Sequence, residues 1–307
     1  MFLYGKKFCF LPRKEDKMSE LLSRHGFCFQ KKYGQNFLQD VKIPRRIAAE
    51  CTEYGFEIKE GEKIPALVLE IGPGAGILTK ELSARFEKVL AVEIDESLKD
   101  VLSETLSECG NVRVVFDDIM KTDLETLITA ERTGKNGEKL PVSVCANLPY
   151  YITTPILMKL VEEYGKFDFI TVMVQKEVAS RLCAKEKSAE YGSITASLNL
   201  YGSVKRLFAV PAGCFFPKPK VDSAVIRISM HNPPRYTKEQ TEKAGKVIKA
   251  AFSVRRKTLV NALSSSFGCD KEELKKILKE TLGVSENVRG EELDAESFVK
   301  LAEKLLP

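Results

Sequence analysis

From Ala66 the chain reads Ala-Leu-Val-Leu-Glu-Ile, then a glycine turn, then apolar positions at helical spacing as far as Phe86. A short apolar run bounded by turn residues predicts a buried strand, and the change of period after it predicts a helix. The alternation recurs. KVLAVEID (88–95) predicts a second strand ending in two acids, with a helical pattern in ESLKDVLSETL behind it. VRVVFDDI from Val112, KLPVSVCANLPYYI with its strand ending at Asn147, and DFITVMVQ (168–175) predict three more strands. Strands this apolar, alternating with helices, predict a doubly wound parallel sheet with helices on both faces. SVKRLFAVP and SAVIRISMH flank a Pro- and Lys-rich loop (212–220) and predict a further pair that closes the sheet as a hairpin. Beyond His231-Asn-Pro-Pro the pattern is helical: one stretch over 242–263, then KEELKKILKETL, then DAESFVKLAEKLL, broken at Gly268 and Gly283. Three segments are expected: an N-terminal extension (1–30), a Rossmann-like α/β domain (31–232) and a small C-terminal α-helical domain (233–307). Met18 offers an alternative start.

Composition narrows the class. A chain of 307 residues with 44% hydrophobic content has material for two cores. With 30% charged residues, no apolar run approaches the ~20 uncharged residues of a bilayer span, and the first residues lack a secretory apolar block. Cytoplasmic location and no membrane partner are expected. The eight cysteines (9, 28, 51, 109, 145, 183, 214 and 269) are dispersed, and only His25 and His231 are present beside them. They predict small buried hydrophobes in a reducing compartment and no metal site.

Charge is divided along the chain. Residues 1–46 hold 11 Lys/Arg against 4 Asp/Glu, and residues 205–257 hold 13 against 3, around an acidic middle. Basic flanks of this kind fit a polyanion, since Lys and Arg displace counterions from phosphates; solvated helix faces are the alternative.

Candidate chemistry starts at Glu70-Ile-Gly72-Pro-Gly74-Ala-Gly76, a glycine loop between strand and helix where backbone can approach a ligand. Its third glycine follows the second by two residues, not the three of a dinucleotide fingerprint, and no Lys-Ser/Thr follows as in a P-loop. Glu93, 21 residues after Gly72, ends the second strand where a carboxylate accepts hydrogen bonds from a ribose diol. Asp118 ends the third strand, placed to accept from an adenine amine. The pair outlines a site for an adenosine without phosphates, and S-adenosylmethionine fits better than NAD. Helix N-capping is the alternative for both acids.

Asn147-Leu148-Pro149-Tyr150 caps the fourth strand. An exocyclic adenine amine is a poor nucleophile because its lone pair is delocalised into the ring. An acceptor pair, the Asn147 side-chain oxygen and the Leu148 carbonyl aimed by Pro149, would hold both N–H groups and favour a tetrahedral nitrogen without a strong general base. Tyr150 offers a face to a splayed-out base, with Phe215 opposite. A strand-ending turn, and core positions for Phe215 and Phe216, are the structural alternatives.

These segments, together with Tyr33-Gly-Gln-Asn-Phe-Leu38, Val92-Glu-Ile-Asp95, Asp118-Ile119, Phe216-Pro-Lys-Pro-Lys-Val-Asp-Ser223 and Ala251-Phe-Ser-Val-Arg-Arg-Lys-Thr258, resemble the ribosomal RNA adenine dimethyltransferase family. The match runs from about Lys31 to the C-terminus. Asn147-Leu148, the Ala251–Thr258 segment and Arg289-Gly-Glu-Glu-Leu293 lean to its bacterial small-subunit branch over the Erm enzymes that dimethylate large-subunit rRNA. Residues before Phe27 are longer than the family pattern.

The resemblance implies a Rossmann-like methyltransferase domain and a C-terminal rRNA-binding domain. Asn36 and Leu38 would close over the methionine end of S-adenosylmethionine and Gly72 would lie against it. Glu93 would take the ribose, and Ile94, Asp118 and Ile119 the adenine. Asn147 would serve both cofactor and target amine, with Leu148, Pro149, Tyr150 and Phe215 forming the catalytic corner. From charge placement, Lys31, Lys32, Arg45, Arg46, Lys218, Lys220, Arg255, Arg256 and Lys257, the last three placed on the first C-terminal helix, are the expected phosphate contacts. The implied reaction is N6,N6-dimethylation of two adjacent adenosines near the 3′ end of 16S rRNA, by a monomer, in the small ribosomal subunit or its late precursor. An Erm-type methylase, an assembly checkpoint acting by binding alone, and a DNA adenine methylase are the competing readings.

Overall fold

The structure, a computed structural model, describes residues 17–30, 33–163, 166–254 and 257–306. In chain order the first elements are α1 (Lys17–Arg24), β1 (Phe37–Leu38), α2 (Lys42–Glu50), β2 (Ile64–Ile71), α3 (Ile77–Arg85), β3 (Phe86–Glu93), α4 (Lys99–Thr105), β4 (Val112–Phe116), α5 (Leu124–Glu131), β5 (Val142–Asn147), α6 (Thr153–Glu162) and β6 (Phe169–Gln175). There follow α7 (Lys176–Leu182), α8 (Ser193–Asn199), β7 (Gly202–Val210), β8 (Phe215–Phe216), β9 (Ser223–Met230), α9 (Lys238–Ala251), α10 (Leu259–Phe267), α11 (Lys271–Leu282) and α12 (Ala295–Leu305).

Seven strands form one sheet in the order β4-β3-β2-β5-β6-β9-β7. The five apolar strands expected from the pattern are all present, and β4 through β6 pair in parallel. The order reverses between β2 and β5, which is where an open α/β sheet leaves a crevice beyond its carboxyl ends. β7 lies outside β9 at the sheet edge.

The chain divides into two compact units: residues 1–160, 166–176 and 206–227 in the first, and 161–165, 177–205 and 228–307 in the second. In the first, α2 and α3 bury Ile47, Ala48, Leu78 and Leu82 against Val68, Val89 and Cys145 of the sheet. A second cluster puts Met18 and Leu22 of α1 with Phe27, Phe37 and Ala75 on Val101 and Leu102 of α4. Each buried Leu or Val of this kind contributes ~1.5–3 kcal/mol.

In the second unit, helix starts and stops follow local chemistry. Thr237, Thr258, Asp270 and Asp294 each accept backbone N–H groups at a helix N-terminus. Gly268 and Gly283 end α10 and α11 in the left-handed conformation, as the breaks in the pattern predict. The single helix expected over 242–263 is two. α9 stops at Ala251, and Thr258 caps a new start at Leu259, so the hydroxyl residues within an otherwise helical pattern divide it. Lys257 consequently lies between helices and not on the first of them. Tyr191 donates to the Leu293 carbonyl at 3.1 Å, and Phe252 lies 6.2 Å from both Tyr191 and Phe298, tying this unit's segments together.

The cysteines are less uniform than expected. Cys51 and Cys145 are buried free thiols, Cys109, Cys183, Cys214 and Cys269 are partly exposed, and Cys28 is disulfide-bonded. Among the described residues no group of three or more His, Cys, Asp or Glu is arranged to hold a metal, and no helix is long and apolar enough to cross a membrane.

Candidate active site

The carboxyl ends of β2, β3 and β5 open into a cleft within the first unit. Its walls are residues 33–38, the glycine loop from Gly72 to Ala75, Glu93-Ile94, and 147–151. Gly74 is demanded by sterics: φ is +58°, and a Cβ there would stand 2.8 Å from the Phe37 ring. Gly72, at φ +68°, has no protein atom within 4 Å of where its Cβ would sit, so the backbone there faces open space.

Two carboxyl groups occupy the floor. Glu93, 4% exposed, accepts the Gly74 N–H at 3.0 Å on one oxygen and the Asp95 N–H at 2.9 Å on the other. Burial pushes its pKa up, and those backbone donors pull it back. Each oxygen keeps acceptor capacity for a further donor. Glu70, near the end of β2, is 1% exposed, and its Oε2 has no hydrogen-bond partner. Burial, with the Glu93 charge adding, pushes its pKa up to about 8. An orphaned buried acceptor costs ~1–3 kcal/mol, which a ligand donor would recover. Glu70 is given no role from sequence beyond opening the glycine-loop segment, yet an acid inside Leu-Val-Leu-Glu-Ile is the signal of a buried carboxyl group.

The N-terminal side of the cleft is latched by Asp95. Its carboxylate accepts from Gln30 Nε2 at 2.9 Å, Gln35 Nε2 at 2.7 Å and the Ser97 hydroxyl at 2.6 Å. The latch holds residues 33–38 across the opening, reinforced where β1 pairs with β8 through Phe37–Phe216 and Leu38–Phe215. Asn147 Nδ2 donates to the Asn36 carbonyl at 3.1 Å. Its nitrogen is thereby engaged, and Oδ1 is the atom left to accept. Leu148 is 1% exposed, and the Pro149 carbonyl accepts from Thr153 Oγ1 at 3.1 Å, which fixes the corner. The Tyr150 hydroxyl and Ser223 Oγ share a hydrogen bond at 2.7 Å. Neighbouring Asp222 accepts the Ala212 N–H at 2.9 Å, so the Lys-Val-Asp-Ser segment sets both the loop and the Tyr150 ring.

The structure brings Asn36, Leu38, Gly72, Glu93, Ile94, Asn147, Leu148, Pro149 and Tyr150 into one cleft. It does not bring Phe215, Asp118 or Ile119 to that wall. Phe215 is 2% exposed in the core cluster with Leu38, Val210 and Val225, because its pairing with Leu38 turns the ring inward. Asp118 accepts the Met120 N–H on one oxygen and has Lys121 3.6 Å from the other, which leaves acceptor capacity on both, while Ile119 is buried beside it. Arg45 and Arg46 stand on α2 with exposed side chains, but Arg45 pairs with Glu81 at 3.4 Å and Arg46 with Glu50 at 2.6 Å, the latter also 3.9 Å above the Phe208 ring. Lys218, Lys220 and Lys257 are exposed. Lys31, Lys32, Arg255 and Arg256 lie outside the described residues.

A parallel sheet with this crevice, a glycine loop open toward it, and an acid ending the next strand define a Rossmann-like α/β protein with a cleft suited to an adenosine. Comparison with known proteins specifies which kind. The family described as ribosomal RNA adenine dimethylase matches residues 26–306. The ribosomal RNA small subunit methyltransferase A of Geobacillus thermodenitrificans is 40% identical over 293 residues, spanning 95% of this chain and 96% of that one. Among solved structures, the 23S rRNA methyltransferase ErmE aligns with TM-score 0.62 at 25% identity, covering 88% of this chain and 99% of that one. A dimethyladenosine transferase from Plasmodium falciparum has the same fold, with TM-score 0.69 at 24% identity over 86% and 95% of the two chains. The chain belongs to the ribosomal RNA adenine dimethylase family, and it is an rRNA methyltransferase.

Proposed function

We propose that this enzyme uses S-adenosylmethionine to dimethylate N6 of two adjacent adenosines near the 3′ end of 16S rRNA, within the small ribosomal subunit or its late precursor, acting in the cytoplasm as a monomer. The observation that supports the reading is the Asn147 corner: its amide nitrogen donates to the Asn36 carbonyl, which leaves its oxygen to accept, and the residue lines the same cleft as Glu93 and Gly72. Similarity of 40% along nearly the whole chain to an enzyme named for the small subunit favours that RNA over 23S.

The residues fit the cofactor. Gly72 leaves room for close approach, Glu93 has acceptor capacity for ribose hydroxyls, Ile94 is 45% exposed where an adenine face would lie, and Glu70 offers an unpartnered oxygen on the floor. Asn36 and Leu38 would hold the methionine end from the opposite side. When bound, the cofactor supplies an electrophilic methyl group on a sulfonium.

Asn147 Oδ1 and the Leu148 carbonyl would accept the two N–H groups of the target amine, drawing its lone pair out of conjugation and toward the methyl. Tyr150, fixed by Ser223, would hold the base by its ring face. No general base is required at the nitrogen, because the amine becomes acidic on methylation and releases its proton to water. Asp118, close to Tyr151 at the cleft and with acceptor capacity left, would accept from the adenine amine with Ile119 beside it, and Phe215 would back the target-base side through Leu38. The C-terminal helical segment 233–307, with Lys257, and the exposed Lys218 and Lys220 would supply phosphate contacts, together with Arg45, Arg46, Lys31, Lys32, Arg255 and Arg256.

The test is transfer of labelled methyl from S-adenosylmethionine to unmethylated small subunits, with naked 23S rRNA in parallel and nucleoside analysis of the product. Dimethyladenosine in the small-subunit RNA alone is expected. Label in 23S rRNA instead, or none anywhere, would overturn the reading.

A further inference from the structure

The corner that presents Asn147 and Tyr150 continues into a second tyrosine. Tyr151 is 62% exposed, among the most exposed large apolar side chains in the described part of the chain, and it lines the same cleft. Folding gives no reason to leave an aromatic ring in water at that point, and exposed apolar surface at a pocket mouth marks a contact site. The ring is not loose. Its edge carbons lie 3.5 and 3.6 Å from the position a Cβ would take on Gly34, so one side rests along the 33–38 segment that Asp95 latches down. Partial burial, then Tyr33 and Asp118 nearby, push its phenol pKa up, so the ring is neutral at physiological pH. Phe215, meanwhile, is turned into the core, which leaves Tyr33, Tyr150 and Tyr151 as the tyrosines of the wall.

We infer that Tyr151 is a substrate-positioning residue: its exposed ring face stacks on the nucleotide next to the target adenosine while Tyr150 holds the target itself. The inference rests on the function proposed above. Two consecutive tyrosines suit an RNA whose two reactive bases are themselves consecutive. A splayed-out base leaves its neighbour unstacked on one side, and an aromatic face restores that stacking without reading sequence. Gly34 sits under the ring, since a side chain added there would meet it at ordinary contact distance.

The experiment compares wild type, Tyr151→Ala and Tyr151→Phe on the RNA that the wild type methylates, measuring KM for the RNA, the distribution of methyl groups between the two adenosines, and cofactor Kd. Tyr151→Ala is expected to raise the RNA KM about tenfold or more, the scale of losing one base stack. It should also leave one adenosine of the pair undermethylated, with cofactor Kd unchanged, and Tyr151→Phe should restore both RNA readouts. An unchanged RNA KM and methyl distribution in Tyr151→Ala would overturn the inference alone. A parallel loss of cofactor affinity would also overturn it, by assigning the ring to the cofactor wall. A wild type that methylates no rRNA would instead overturn the underlying reading, and this inference with it.

Discussion

At the amino ends of β5 and β6 a phenol, a hydroxyl and a carboxylate close on one another. The Tyr54 hydroxyl lies 2.5 Å from Ser143 Oγ and 3.2 Å from Asp168 Oδ2, and the same Asp168 oxygen accepts the Val142 N–H at 3.1 Å. Burial, ahead of any charge nearby, pushes the Tyr54 pKa upward and keeps it a donor. At the carboxyl ends of the neighbouring strands the polar groups are as deeply placed but incompletely matched: Glu70 Oε2 has no partner, and Asn147 is engaged through its nitrogen. Both sets cost desolvation. The amino-edge set recovers that cost within the protein and ties the 51–63 connection to the sheet, whereas the carboxyl-edge set leaves part of it unrecovered. The difference separates polar residues satisfied within the fold from those left with unused hydrogen-bonding capacity at the cleft.

The comparison is sharpened most by Asn147→Ala. Removing the acceptor at the reacting nitrogen is expected to lower kcat by ~10²–10³-fold in single-turnover methyl transfer, with the urea midpoint little changed. A variant that keeps wild-type kcat would break the distinction.

Glu70 gives a pH signature. Its pKa is about 8 in the folded chain against 4.5 for the free group. Between those values the folded chain holds a proton that the unfolded chain has released, so the contribution is fully favourable below 4.5 and is lost as pH rises toward 8. Urea unfolding of the ligand-free protein should show stability falling across that window, and Glu70→Gln should flatten the fall. A slope that survives the substitution would place its origin elsewhere.

At the other edge, Tyr54→Phe should cost ~1–2 kcal/mol of unfolding free energy and leave methyl-transfer kinetics unchanged in the folded protein. A loss of kcat without a loss of stability would erase the contrast between the edges. The smallest effect is expected from Tyr150→Phe, which keeps the stacking face and loses only the bond to Ser223. A few-fold rise in RNA KM, read with the same assay, would report looser positioning of the ring, and a loss as large as that of Asn147→Ala would assign the hydroxyl to the chemistry.

How far the sequence foretells this follows from the range of each interaction. The five parallel strands were legible because continuous apolar runs such as Leu67–Leu69 and Val89–Val92 are local signals. Glu93, Gly72 and Asn147 were legible because each sits at a strand end fixed by such a run. Phe215 was not, since its inward orientation depends on pairing with Leu38, far away in the chain. Asp118 stands at the strand end expected, where it also caps a local turn through the Met120 N–H and lies beside Lys121. The Gln30–Gln35–Asp95 latch and the Ser223 support of Tyr150 join distant residues by single hydrogen bonds, which leave no periodic trace. The split of the expected 242–263 helix was written in Thr258, a capping residue within a helical pattern.

The most direct measurement is calorimetric titration of S-adenosylmethionine into wild type, Glu93→Gln and Tyr54→Phe. The account predicts binding by the wild type, affinity at least about tenfold weaker in Glu93→Gln, where a charged acceptor for the ribose becomes neutral, and unaltered affinity in Tyr54→Phe. No binding by the wild type, or equal affinity in wild type and Glu93→Gln, would contradict the assignment of the carboxyl-edge cleft as the cofactor site.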